Sequence, residues 1–168
     1  MGFQGNAQRL EEEHFHLEGV PVTGTGAVAL NIFKVIGSVW IISQSAVICE
    51  ITTLANLTDM HADLWDGTHS ELLTKATTAD LSGRPVGTMF TRDKVATEPY
   101  SIVGSTQCGI LETASSKRIG LPFAAVQKTA DIDTFMRLRF NTTDAPVDFK
   151  LNVHFIWTPV DGGSLVLA

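Results

Sequence analysis

Residues 134–140 and 149–158 alternate apolar and polar side chains with the two-residue period of an extended strand. In the second stretch Phe149, Leu151, Val153, Phe155 and Trp157 fall on one side, and Lys150, Asn152, His154 and Thr158 on the other. A face so uniformly apolar has to be covered, which places the chain in the β class. The two stretches are expected to pair as antiparallel neighbours, joined by a loop over 141–148 that accommodates Pro146.

Upstream, short apolar runs alternate with turn clusters. Residues 27–36 predict a strand, and residues 37–42 and 46–53 predict two more, joined by a Ser43-Gln44-Ser45 turn. Met60, Ala62 and Leu64 alternate with His61, Asp63 and Trp65, and the run stops at the favoured turn pair Asp66-Gly67. A short strand is expected at 72–74, a loop at 80–87 and a restart at 88–91. Weaker strands follow at 101–111 and 119–128. About eight to ten short strands separated by turns point to a sandwich, with a jelly roll as the natural candidate.

Both chain ends differ from this pattern. Residues 8–18 read as a short amphipathic helix carrying Leu10, Phe15 and Leu17 among acidic residues and histidines, and residues 19–26 as an extended segment. The expected fold is all-β: a single antiparallel β-sandwich, jelly-roll-like, over 27–168, preceded by an extended N-terminal arm over 1–26. Ordering such an arm costs roughly 1 to 2 kcal/mol per residue and needs a surface to offset it. Phe3, Leu10, Phe15, Leu17, Val20 and Val22 are therefore expected to contact a different chain. The short apolar tail, 159–168, carries no side-chain charge after Asp161 and contains Leu165, Val166 and Leu167. Two placements are open for it: back on its own sandwich, or against another chain.

Composition narrows the function. At 168 residues the chain is one domain, large enough for a core without staples. Only 18% of its residues are charged, so it has limited means of keeping its surface wet, which favours partners covering part of it. The net charge of −6 and the lack of any Lys/Arg cluster argue against nucleic-acid binding. The start of the sequence lacks the basic and apolar regions of a signal peptide. Residues 35–51 are apolar, but Ser43, Gln44 and Ser45 interrupt them well short of the roughly 20 residues a spanning helix needs, so no membrane is expected. Cys49 and Cys108 are far apart and read as two buried reduced thiols, with a disulfide between them as the alternative.

No motif announces a reaction. Glu11, Glu12, Glu13, His14 and His16 are rich in ligand types, and Glu12 and His16 meet the helical spacing, yet two ligands do not make a metal site. His61 and Asp63 share one side of a strand and need residues from elsewhere to form anything. Gly104-Ser105 and Gly163-Ser164 lack the flanks of a nucleophile elbow, and no phosphate-binding glycine loop occurs. No catalytic residue, cofactor or metal is expected. Arg137 and Arg139 share one strand face, which reads either as an exposed charged face or as a contact with a neighbour's carboxylates.

Four segments in this order, IGSVWI, VICEITT, DLSGRPVGTMFTRD and the closing HFIWTPVDGGSLVLA, resemble small virion structural proteins of tailed bacteriophages. The resemblance spans 27–168 and leaves out the arm. It implies a non-enzymatic virion component, made in the bacterial host cytoplasm, that works as a homo-oligomer. A capsid decoration or cement protein would be a β trimer bound to the major capsid protein or another virion protein. A tail- or fibre-associated module binding a receptor or carbohydrate is the alternative, with Trp65 and the acidic turn after it as the sugar platform. A hydrolase whose carboxylates are assembled by the fold is the third reading.

Overall fold

A computed structural model describes residues 13–53, 57–77, 80–91, 101–103, 123–127 and 131–168. These residues form one antiparallel, curled sheet and no helix. Its strands are β1 (Glu13–Thr53), β2 (Leu57–Trp65), β3 (Ser70–Leu72), β4 (Met89–Thr91), β5 (Ser101–Val103), β6 (Phe123–Val126) and β7 (Thr134–Leu167). The order across the sheet is β3-β2-β7-β1-β4-β5, and β6 also pairs with β1.

The two long strands organise everything else by pairing with each other along several stretches. Residues 13–24 of β1 pair with 147–157 of β7, residues 26–35 with 134–142, and residues 38–53 with 148–160. The stretch around 148–157 therefore has β1 on both flanks, and its alternating pattern is read out in full. Phe149, Leu151, Val153, Phe155 and Trp157 are all buried, whereas His154 is exposed. Aromatic rings from different stretches meet in the core: Phe33 packs edge-on to Phe155 at 4.8 Å, and Phe140 edge-on to Phe149 at 5.8 Å.

Several expectations are corrected. The two strongly alternating stretches do not pair with each other, because β1 flanks the second on both sides and β1 and β2 flank the first. The loop expected over 141–148 is strand, with Thr142 opposite Gly26 and Val147 opposite Gly24. The hairpin at Ser43-Gln44-Ser45 does not form either. The strand runs straight through with a register shift between Ile41 and Ser43, which turns Gln44 into the core. Polar residues here mark an irregularity within one strand, not a reversal of the chain.

The N-terminal segment also differs. Over 13–18 the helix expected at 8–18 is replaced by strand, and 13–24 lies in the chain's own sheet. The apolar side chains of this edge pack on the domain itself: Val22 is fully buried, and Phe15, Leu17 and Val20 pack against the core. A register shift between Leu17 and Val20 moves the inward set from odd to even positions. Gly19, at φ 62°, makes that shift feasible, since a left-handed residue is what this kind of bulge needs. Its N–H is satisfied by Asn152 Oδ1 at 2.9 Å.

At the other end, residues 164–167 turn back beside 33–36 of β1. The turn presses Gly163 against the backbone of Ser38, leaving no room for a Cβ. Leu165 is thereby buried in the chain's own core, while Val166 and Leu167 stay exposed. Among the described residues no helix is long and apolar enough to cross a membrane.

Candidate functional site

Three features stand out from the ordinary sheet surface. The first is a buried ion pair built by register. Asp63 of β2 lies directly opposite Arg137 of β7, so their side chains share a face. Arg137 donates from Nε to Asp63 Oδ1 at 2.9 Å and from Nη2 to Oδ2 at 2.6 Å. Ser70 Oγ donates to the same carboxylate at 2.7 Å, and Arg139 Nη1 stands 3.5 Å away. The Arg137 guanidinium also lies 4.5 Å over the Trp65 ring, whose other neighbour is Phe135 at 6.2 Å.

Burial by itself raises the pKa of Asp63. The hydrogen bonds from Arg137 and Ser70 and the charges of Arg137 and Arg139 outweigh it and hold the carboxyl below its ordinary value. The group is thus a locked acceptor, unsuited to giving up a proton at neutral pH. Arg137 is neither on an exposed charged face nor free for a neighbour's carboxylate, because Asp63 of its own chain takes its fork. Arg139 is only partly exposed beside the same carboxylate. The sequence places His61 and Asp63 on one strand side; it does not reveal that Arg137 stands opposite, since register between distant strands leaves no local trace.

The second feature is a pair of histidines across β1 and β7. His16 and His154 occupy directly opposed positions, with rings stacked at 4.2 Å and 12°. Glu18 Oε1 is 3.8 Å from His16 Nδ1. Desolvation first, and then the charge of His16, lower the His154 pKa from its ordinary value. Further along this face, Lys150 Nζ bonds Glu50 Oε2 at 2.7 Å, and that partner raises the Lys150 pKa. Among the described residues no group of three or more His, Cys, Asp or Glu side chains is placed to hold a metal ion.

The third feature is apolar. Ile36 and Trp40 are each 41% exposed on β1, either side of Gly37, and Val166 and Leu167 are 39% and 58% exposed on the returning end of β7. Val166 lies opposite Lys34 and Ile36 opposite Ser164, so Ile36 and Val166 share a face, whereas Leu167 lies opposite the buried Phe33 at the end of the strand. Of the apolar residues expected at an interface, Val166 and Leu167 are exposed. Phe15, Leu17, Val20, Val22 and Leu165 are drawn into the chain's own fold, and Phe3 and Leu10 lie outside the described residues. Ile36 and Trp40 escaped sequence reasoning because they sit in an apolar run that reads as uniformly buried.

The platform suggested for sugar binding is largely spent internally. Trp65 is covered by Arg137, and Asp66 Oδ1 accepts the backbone N–H groups of Thr68 and His69 at 2.9 and 2.6 Å to fix the turn. Cys49 is free and half-buried, and Cys108 lies outside the described residues. In comparisons with known proteins, the chain matches no family model, no curated protein and no solved structure.

Proposed function

We propose that this chain is a non-enzymatic structural protein of a bacteriophage virion, a capsid decoration or cement protein that stabilises the head as a homo-oligomer. The observation that carries the reading is the exposure of the apolar side chains Ile36, Trp40, Val166 and Leu167 on a chain of low charge. Exposed apolar side chains are candidates for burial against a partner. The resemblance of residues 27–168 to small virion proteins of tailed phages supplies the kind of partner: the major capsid protein or a second copy. A trimer is the proposed assembly, since identical chains close most often into symmetric rings.

The finer fold belongs to the same proposal. The curled sheet closes on itself as a jelly-roll-like sandwich, one half built on 26–36 and 134–142 and the other on 13–24, 38–53 and 148–160. The ring contact between Phe33 and Phe155 supports this closure, because it joins the inner faces of the two halves. The internal commitments of Trp65 and Asp66 favour the decoration reading over a sugar-binding tail module.

Electron microscopy of intact particles with the protein labelled is the deciding experiment. Density on the head surface is the expected result. Density on the tail or fibres, or absence from particles, overturns the assignment. Trp40→Ser with Leu167→Ser should then reduce occupancy on the particle while leaving the unfolding midpoint of the free protein nearly unchanged.

A further inference from the structure

We propose that the stacked His16–His154 pair makes the edge formed by residues 13–24 acid-sensitive, holding it firmly paired at neutral pH and loosening it as the medium turns acidic. The 13–24 stretch pairs with 147–157 of β7, and within that pairing the two imidazoles lie face to face. Neutral rings stack favourably; two protonated rings at this separation repel.

The surroundings of the two rings differ. His16 has the Glu18 carboxylate 3.8 Å from its Nδ1, a counter-charge beside it. His154 has none among the described residues: its cross-strand neighbours are His16 on one side and the uncharged Ser45 on the other. His14 stands two positions from His16 along the same strand. On β7, Asn152 and Ile156 flank His154 without charge. Lys150 is paired with Glu50 of β1, which leaves that carboxylate committed elsewhere. No carboxylate among the described residues is paired with His154 itself.

The direction of the linkage follows. His154 binds its proton less readily in the folded chain than the ordinary value of 6.5. The paired state is therefore complete above about that value, and weakens as pH falls through the depressed folded one. The expected size of the weakening is about fivefold in the local opening constant, the repulsion of two unit charges about 4 Å apart in water.

Amide hydrogen exchange of the full-length protein between pH 7.5 and 5.0, corrected for the intrinsic chemical rate, tests this directly. Peptides covering 13–24 should lose about fivefold in protection on acidification, relative to peptides covering 57–65. His16→Gln and His154→Gln should each abolish the loss, and His14→Gln should leave most of it. Equal protection at both pH values overturns the proposal. So does a loss that survives in both His16→Gln and His154→Gln, since the carboxylates would then carry it. Both substituted side chains are at least partly exposed, and the unchanged protection of 57–65 in each variant establishes that it folds.

Discussion

Phe155 has its ring edge-on to Phe33 and is almost completely buried, so truncating it to Ala removes contacts on which both β1 and β7 depend. A loss of about 3 to 5 kcal/mol is expected, read from the urea midpoint. Asp63 offers a different test at the same scale. Asp63→Ala strands the Arg137 guanidinium, 10% exposed, without its counter-charge, and should cost about 3 to 5 kcal/mol. Replacing Asp63 and Arg137 together by Leu and Met should cost clearly less, because no charge is then left buried. The pH dependence has a definite sign. The folded pKa of Asp63 lies below its ordinary value of 3.8, so its contribution is complete above that pH and is lost as pH falls through the lower folded value. Acid unfolding of the Leu/Met double variant should lack this component.

At the scale of elements, a chain lacking residues 1–24 should unfold at a distinctly lower urea concentration than the full chain. Its sheet would lose the strand that carries Phe15, Leu17 and the fully buried Val22. An unchanged midpoint would mean that 13–24 is only loosely attached. Gly163→Ala should also destabilise, by about 1 to 3 kcal/mol, since the new Cβ meets the Ser38 backbone and a strand must shift. These same elements show what can be read from the sequence. Phe149 to Trp157 announces its buried face because no bulge interrupts its alternation. In 13–24 the bulge at Gly19 switches the inward set from Phe15 and Leu17 to Val20 and Val22, so a strict two-residue period never shows. At Ser43-Gln44-Ser45 the register shift before Ser43 brings a polar side chain inward, and polarity there imitates a turn. The buried ion pair was legible only as separate halves. Which strand lies beside which is decided by contacts between distant residues, and local pattern carries none of that information.

For the whole molecule, sedimentation of the purified protein should reveal a species heavier than the 18.2 kDa chain, as the proposed ring requires. A single species of that mass over a wide concentration range counts against assembly in free solution. Trp40→Ser with Leu167→Ser should shift any oligomer toward the single chain without lowering its stability, since both side chains are already exposed.

The interleaving of β1 with β7 has a consequence for how the protein comes into being. Gly19 and Asn152, hydrogen-bonded across the two strands, are 133 residues apart along the chain. At translation speeds of roughly 5 to 20 residues per second the first waits on the order of ten seconds for the second to be made. Throughout that interval β1, long and rich in Val and Ile, has among the described residues only the short strands β4 and β6 as native neighbours to pair with. A topology dominated by such distant pairings folds slowly once complete. The nascent chain is therefore most vulnerable to aggregation before residue 134 emerges, and a chaperone that shields β1 during synthesis should raise the yield of folded protein more than one supplied after release.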